Sequence, residues 1–285
     1  MRRATFVFAG ALVGLLAVAP RAHAEDSLPA IARRGVLRVG MYPGLAPFVA
    51  AGGDADELRR LRHATETPVK ATDGRIVAGF DVDLASAAAQ ALGAKLEVVL
   101  VGRFDDLLPG LVAGRYDVVM SGLTRTLDRA RTVSFSDPYF ASGLQVLVRE
   151  GAKWSAVGAL GPAHARVAVR GGTTGESFAR TTLAGATVRA LPDERALLAA
   201  IERGEVDAIV IDQVSARDAI VRGQVHARLS ALEDRRFTVE HFAFAVRQGD
   251  RDWLGWLNLM LRESKASGEF HTLAARYNLW FRSER

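Results

Sequence analysis

The chain predicts an α/β protein of two lobes with a cleft between them, and three observations carry that prediction. Short apolar strand patterns alternate with helical ones from 35 to 120, the same alternation restarts at 166, and a late strand followed by two helices returns after 242. Alternation of this kind gives largely parallel sheets. A restart followed by a return segment makes the chain cross twice between the lobes.

In order, 35–40 reads as a strand and 81–93 as a helix, with Asp81 as its N-cap and Gly93 as its stop. Residues 95–101 form the next strand, 105–113 a helix closed by Gly114, and 116–120 a third strand. In the second block, 166–170 is a strand running into Gly171-Gly-Thr-Thr-Gly175, followed by a helix over 176–183. Strand 187–191, helix 193–203 and strand 206–211 come next, the last ending at Asp212. Residues 242–246 read as the late strand, and the C-terminal helices cover 251–267 and 269–277, split at Gly268. Residues 49–73 interrupt this order. They are polar, with a charged run at 54–62 suited to a short helix, and read either as a tolerated surface insertion or as a flap at the cleft mouth.

Residues 1–24 have the pattern of a signal peptide. Arg2 and Arg3 lead, an apolar run follows, and Ala22-His-Ala24 supplies the small-x-small cleavage pattern. The run is short for a membrane span, which takes about 20 residues. Losing Arg2, Arg3 and Arg21 lowers the formal charge of the 285-residue chain from +5 to about +2, and no basic cluster points to nucleic acid. The chain has no cysteine. Disulfides, thiolate chemistry, Cys-bound metals and a lipid-modified N-terminal cysteine are thereby excluded, and no metal or cofactor is expected. The expected domain plan is a leader over 1–24, a first lobe from 25–142 and 243–285, and a second lobe from 143–242.

Ligands of open α/β sheets sit beyond the carboxyl ends of the strands, which selects the loops 121–129, 171–176 and 212–213. A free amino acid asks such a cleft for a guanidinium and amide donors at its carboxylate and a carboxylate at its ammonium. Thr124 offers a hydroxyl, and Arg129 reads either as a carboxylate clamp or as a surface ion-pair residue. The glycines of 171–175 open a helix N-terminus that favours an anion, but no lysine follows to make a phosphate loop. Asp212 either faces the cleft or caps a following helix.

Taken together, Gly35-Val-Leu-Arg-Val-Gly40, Ala46-Pro-Phe48, Gly79-Phe-Asp-Val-Asp-Leu84, Leu107-Leu-Pro-Gly-Leu111, Tyr116-Asp-Val-Val-Met-Ser-Gly122, Phe135-Ser-Asp-Pro-Tyr139, Gly172-Thr-Thr-Gly175 and Val206-Asp-Ala208 resemble the family 3 extracellular solute-binding proteins of amino-acid ABC importers. The resemblance implies the type 2 periplasmic binding fold: two Rossmann-like lobes hinged on crossovers near 141–144 and 239–243. It implies a soluble periplasmic monomer that hands an amino acid to an inner-membrane ABC permease. It places Arg129 on the ligand carboxylate with Thr174, Gly122 and Thr124 beside it, and Asp212 on the ligand ammonium. Phe104, Tyr42, Thr173 and Phe48 complete the expected ligand-facing set.

Leu45 stands where the family often has an aromatic residue, and Tyr42 where some binders of cationic amino acids have an aspartate. An uncharged side chain is therefore expected on the ligand. The same fold also resembles the cyclohexadienyl dehydratases, in which Glu176 would serve as a general acid if burial raised its pKa. A sensor domain would need a membrane-spanning or signalling segment, and no later stretch of the chain reads as one.

Overall fold

The structure is a computed structural model, and it describes residues 27–52, 68–221, 228–233 and 235–279. The expected leader at 1–24 and the charged run at 54–62 lie outside the described residues.

Two five-stranded sheets form the two lobes. In the first, β1 (Val36–Met41) lies between β6 (Lys95–Leu100) and β7 (Val118–Val119), parallel to both. Two returning strands, β16 (Ala245–Arg247) and β8 (Val133–Phe135), complete the order β6-β1-β7-β16-β8. In the second, β11 (Arg166–Arg170) lies parallel to β12 (Thr187–Leu191) and β13 (Ala208–Asp212). Antiparallel β10 (Leu144–Arg149) and β14 (Leu229–Ala231) finish the order β12-β11-β13-β10-β14. The loops after β7, β11 and β13 therefore leave carboxyl strand ends, as the sequence requires.

Between the sheets runs a two-stranded antiparallel ribbon, β9 (Phe140–Ser142) against β15 (Glu240–Phe242), with Glu240 opposite Ser142. Both chain crossings pass through this ribbon, which splits the expected late strand 242–246. Ala243 donates its amide to the Leu123 carbonyl between the two short strands instead of continuing either ladder.

The first lobe is built on an aromatic core. Phe48 meets Phe80, Phe140 and Phe242 edge-on, and Tyr139 stacks on Phe244 at 4.8 Å. Edge and offset contacts of this kind add about 1 kcal/mol each to area burial. The C-terminal helices α7 (Arg251–Ser267) and α8 (Glu269–Arg276) close this core with Trp253, Leu257, Leu261 and Phe270. Gly268, at φ +84, takes the left-handed turn between them. In the second lobe, the two faces of the sheet carry separate clusters, one around Val146, Val167 and Val210 and the other around Leu197, Ile201 and Ile209.

Two expectations are corrected. Asp81 is not the N-cap of α2 (Phe80–Ala91). Gly79, at φ +140, holds that position, and Asp81 lies wholly buried in the first turn. The stretch 49–73 is not simply a surface insertion. Val49–Gly52 forms β3 and Val69–Lys70 forms β4 in a small antiparallel sheet ordered β2-β3-β5-β4, with β2 at Gly44–Leu45 and β5 at Ile76–Ala78. Val49 is fully buried, because the strand covers the aromatic core.

Candidate functional site

The cleft is shut. Tyr42 Oη donates to the Pro192 carbonyl at 2.7 Å and Arg170 Nη1 to the Gly44 carbonyl at 3.1 Å, each tying the first lobe to the second. Arg129, just beyond the loop after β7, bridges them as well. Its Nη1 donates to the Thr124 carbonyl at 2.7 Å and its Nη2 to the Gly172 carbonyl at 3.2 Å. Among the described residues the Arg129 guanidinium has only carbonyls as hydrogen-bond partners, and burial pulls its pKa down.

Asp212 ends β13 at the opposite wall. Its Oδ1 is buried without a hydrogen-bond partner. Burial, followed by the Glu240 charge, pushes its pKa up to about 7, against the pull of Arg170 and Arg129. A desolvated carboxylate without a partner is unfavourable, so this wall calls for a cation. Asp212 also lines a narrow recess together with Arg170, Thr173, Glu194, Val210 and Ile211.

Phe104 and Tyr42 meet at right angles, 5.8 Å between centroids, and form the aromatic side of the cleft. The Arg129 guanidinium lies 5.6 Å from the Phe104 ring and that of Arg170 4.8 Å. Cations over aromatic faces gain about 1–2 kcal/mol when desolvated. Burial raises the Tyr42 phenol to about 12, so it remains a donor.

Of the expected site residues, the structure gathers Arg129, Asp212, Thr124, Thr174, Phe104, Tyr42 and Thr173 around the closed cleft and leaves three elsewhere. Phe48 is fully buried in the aromatic core and has no surface to offer a ligand. Gly122 spends its amide inward on Asp81 Oδ2 at 2.6 Å, and at φ +54 any side chain there would strike Leu45. Glu176 accepts from Gly172 N at 2.9 Å and from Arg180. Those contacts hold its carboxyl below the usual range, the reverse of what a general acid needs. Thr173 caps α4 (Thr174–Thr182), accepting from Glu176 N and donating to the Arg170 carbonyl at 2.7 Å.

Two residues of this cleft were missed from sequence. Glu240, on β15 of the ribbon, is 4 % exposed. Its Oε2 takes the Thr124 hydroxyl at 2.7 Å and the Thr174 hydroxyl at 2.8 Å, while Oε1 takes the Thr238 hydroxyl at 3.1 Å. One carboxylate thus holds hydroxyls from both lobes. Arg170 is the other; it ends β11, and the same carboxyl-end rule that selected Asp212 selects it too.

No group of three or more His, Cys, Asp or Glu able to hold a metal occurs among the described residues, and none of their helices is long and apolar enough to cross a membrane.

The family model described as bacterial extracellular solute-binding proteins, family 3, matches residues 62–280. A probable histidine-binding protein of Neisseria gonorrhoeae is 34% identical over 224 residues, which covers 77% of this chain and 82% of that one. A cyclohexadienyl dehydratase of Pseudomonas aeruginosa is 31% identical over 228 residues, covering 79% and 76%. Among solved structures, a mutant of ArgBP from T. maritima superposes with a TM-score of 0.74 at 30% identity, covering 88% of this chain and 99% of that one.

Proposed function

The chain belongs to the family 3 bacterial extracellular solute-binding proteins, and from that premise we propose that it captures a free amino acid with an uncharged side chain by closing its two lobes. One observation carries this reading. The two walls of one cleft present opposite charges, Arg129 with carbonyl partners alone and Asp212 with a buried oxygen that nothing satisfies. A zwitterion offers each wall what it lacks, its carboxylate to Arg129 and its ammonium to Asp212. Thr124 and Thr174 act through Glu240, which orients both hydroxyls at the hinge. Because the ligand touches both lobes only when they are shut, it selects the closed state.

The lobes divide at 142/143 and 242/243, where the β9–β15 ribbon ends. In this reading the leader is cleaved after Ala24. The mature monomer works in the periplasm and delivers its ligand to the permease of an ABC importer. The dehydratase reading has less support. It rests on the Pseudomonas relative, whereas Glu176 is held ionised by Gly172 and Arg180.

A thermal-shift screen over the twenty amino acids and prephenate, followed by calorimetry, tests the proposal. At least one neutral amino acid stabilises the protein. Arg129→Leu lowers its affinity by about a hundredfold or more, since removing one partner of a buried pair costs about 3–5 kcal/mol, while the unliganded melting temperature holds. Unchanged affinity in that variant rejects the clamp. Turnover of prephenate replaces the binder with the enzyme.

A further inference from the structure

Arg170 is 5 % exposed, and the site built around it is that of a bound cation rather than of a surface arginine. Its guanidinium lies 4.8 Å from the Phe104 ring and 5.6 Å from the Tyr42 ring. Nη1 donates to the Gly44 carbonyl of the opposite lobe at 3.1 Å and pairs with Glu194 at 3.5 Å. Two aromatic faces, a carbonyl and a carboxylate make a receptor for an organic cation, and here the chain fills that receptor itself.

We propose that Arg170 sets the specificity of the cleft, occupying with its own guanidinium the place a cationic ligand side chain would need and so restricting the ligand to uncharged side chains. This rests on the amino-acid-binding reading above and deepens it. A lysine or arginine ligand would bring a third cation to a ring, Phe104, that already carries Arg129 at 5.6 Å and Arg170. Like charges brought together in a desolvated site cost several kcal/mol. Glu194 balances the Arg170 charge, so the compartment does not call for an acidic side chain in place of a basic one. The Nε of Arg170 is buried without a hydrogen-bond partner, and Arg170 lines the recess beside Asp212. An uncharged ligand side chain bearing a carbonyl or hydroxyl oxygen would give that Nε–H an acceptor.

The experiment titrates L-arginine, L-lysine and a series of neutral amino acids into the wild type, Arg170→Met and Arg170→Lys. Met keeps the apolar stem and removes the charge; Lys keeps the charge. The wild type binds neutral amino acids and shows no response to L-arginine or L-lysine. Arg170→Met gains both cations by at least about tenfold, the two rings then being open to them. Arg170→Lys keeps the exclusion. Wild-type protein that binds L-arginine or L-lysine as tightly as its best neutral ligand overturns the inference and leaves amino-acid binding standing. So does Arg170→Met that melts and binds neutral ligands like the wild type yet gains no cation. Should Arg170→Met fail to fold, the wild-type panel with Arg170→Lys decides by the same criteria. A wild type that binds no free amino acid overturns the proposed function, and this inference with it.

Discussion

Two aspartates, one in each lobe, look alike in their titration, although Asp81 is wholly buried and Asp212 only partly so. Burial pushes both Asp81 and Asp212 up to about 7. The difference is in their partners. Asp81 Oδ2 accepts the Gly122 amide at 2.6 Å and the Tyr139 hydroxyl at 2.9 Å, pinning the loop after β7 onto α2. Both leave Oδ1 buried without a partner, but Asp212, which ends its strand, receives no hydrogen bond on its other oxygen either among the described residues. A raised pKa therefore does not mark the binding residue here; the hydrogen-bond account does. Asp81 belongs to the architecture, and Asp212 is left for a guest.

Substitutions separate the two sharply. The largest expected effect is on affinity at Asp212. Asp212→Asn keeps the shape but removes the charge facing the ligand ammonium, and calorimetry should show a loss of about a hundredfold or more. Its unliganded melting temperature at neutral pH should not fall, and should rise to the extent that the ionised carboxylate opposes folding. An equal loss of affinity from Asp81→Asn would erase the distinction. Next comes stability at Asp81. Asp81→Leu leaves the Gly122 amide and the Tyr139 hydroxyl buried without an acceptor, at about 1–3 kcal/mol each, so denaturant unfolding should show a loss of about 3 kcal/mol.

The smallest effect is that of pH, and its sign follows from the raised pKa. Unliganded Asp212 holds its proton until about pH 7, and an ammonium needs it ionised. Affinity is thus full above about pH 7 and falls below it, by up to about tenfold per unit, a dependence that Asp212→Asn should abolish. Folding stability runs the other way. Each aspartate binds a proton more readily folded than unfolded, so stability of the empty protein declines as pH rises from about 4 to about 7. Asp81→Asn and Asp212→Asn should each remove one share of that decline.

How legible this was from sequence differs between the fold and the site. Strand and helix order followed from periodicity, since a two-residue and a 3.6-residue repeat look different in any apolar run. Asp193 was readable as the start of its helix and does cap it, accepting from Ala196 N at 2.7 Å. Asp81 read the same way and does not, because what holds it is the Tyr139 hydroxyl and the amide of a loop forty residues on, which no local rule reports. Arg129 and Asp212 were found because strand ends point at clefts. Arg170 obeyed the same rule and was passed over as the last residue of a Val-Ala-Val strand. Glu240 carried no signal, since its partners Thr124, Thr174 and Thr238 converge only when the ribbon is built.

That convergence has a consequence for how loading is announced. Glu240 clasps both halves through Thr124 and Thr174, so part of the energy that shuts the molecule comes from its own chain. A shut outline is then not by itself the mark of a load, and whatever receives the cargo has to check more than the silhouette.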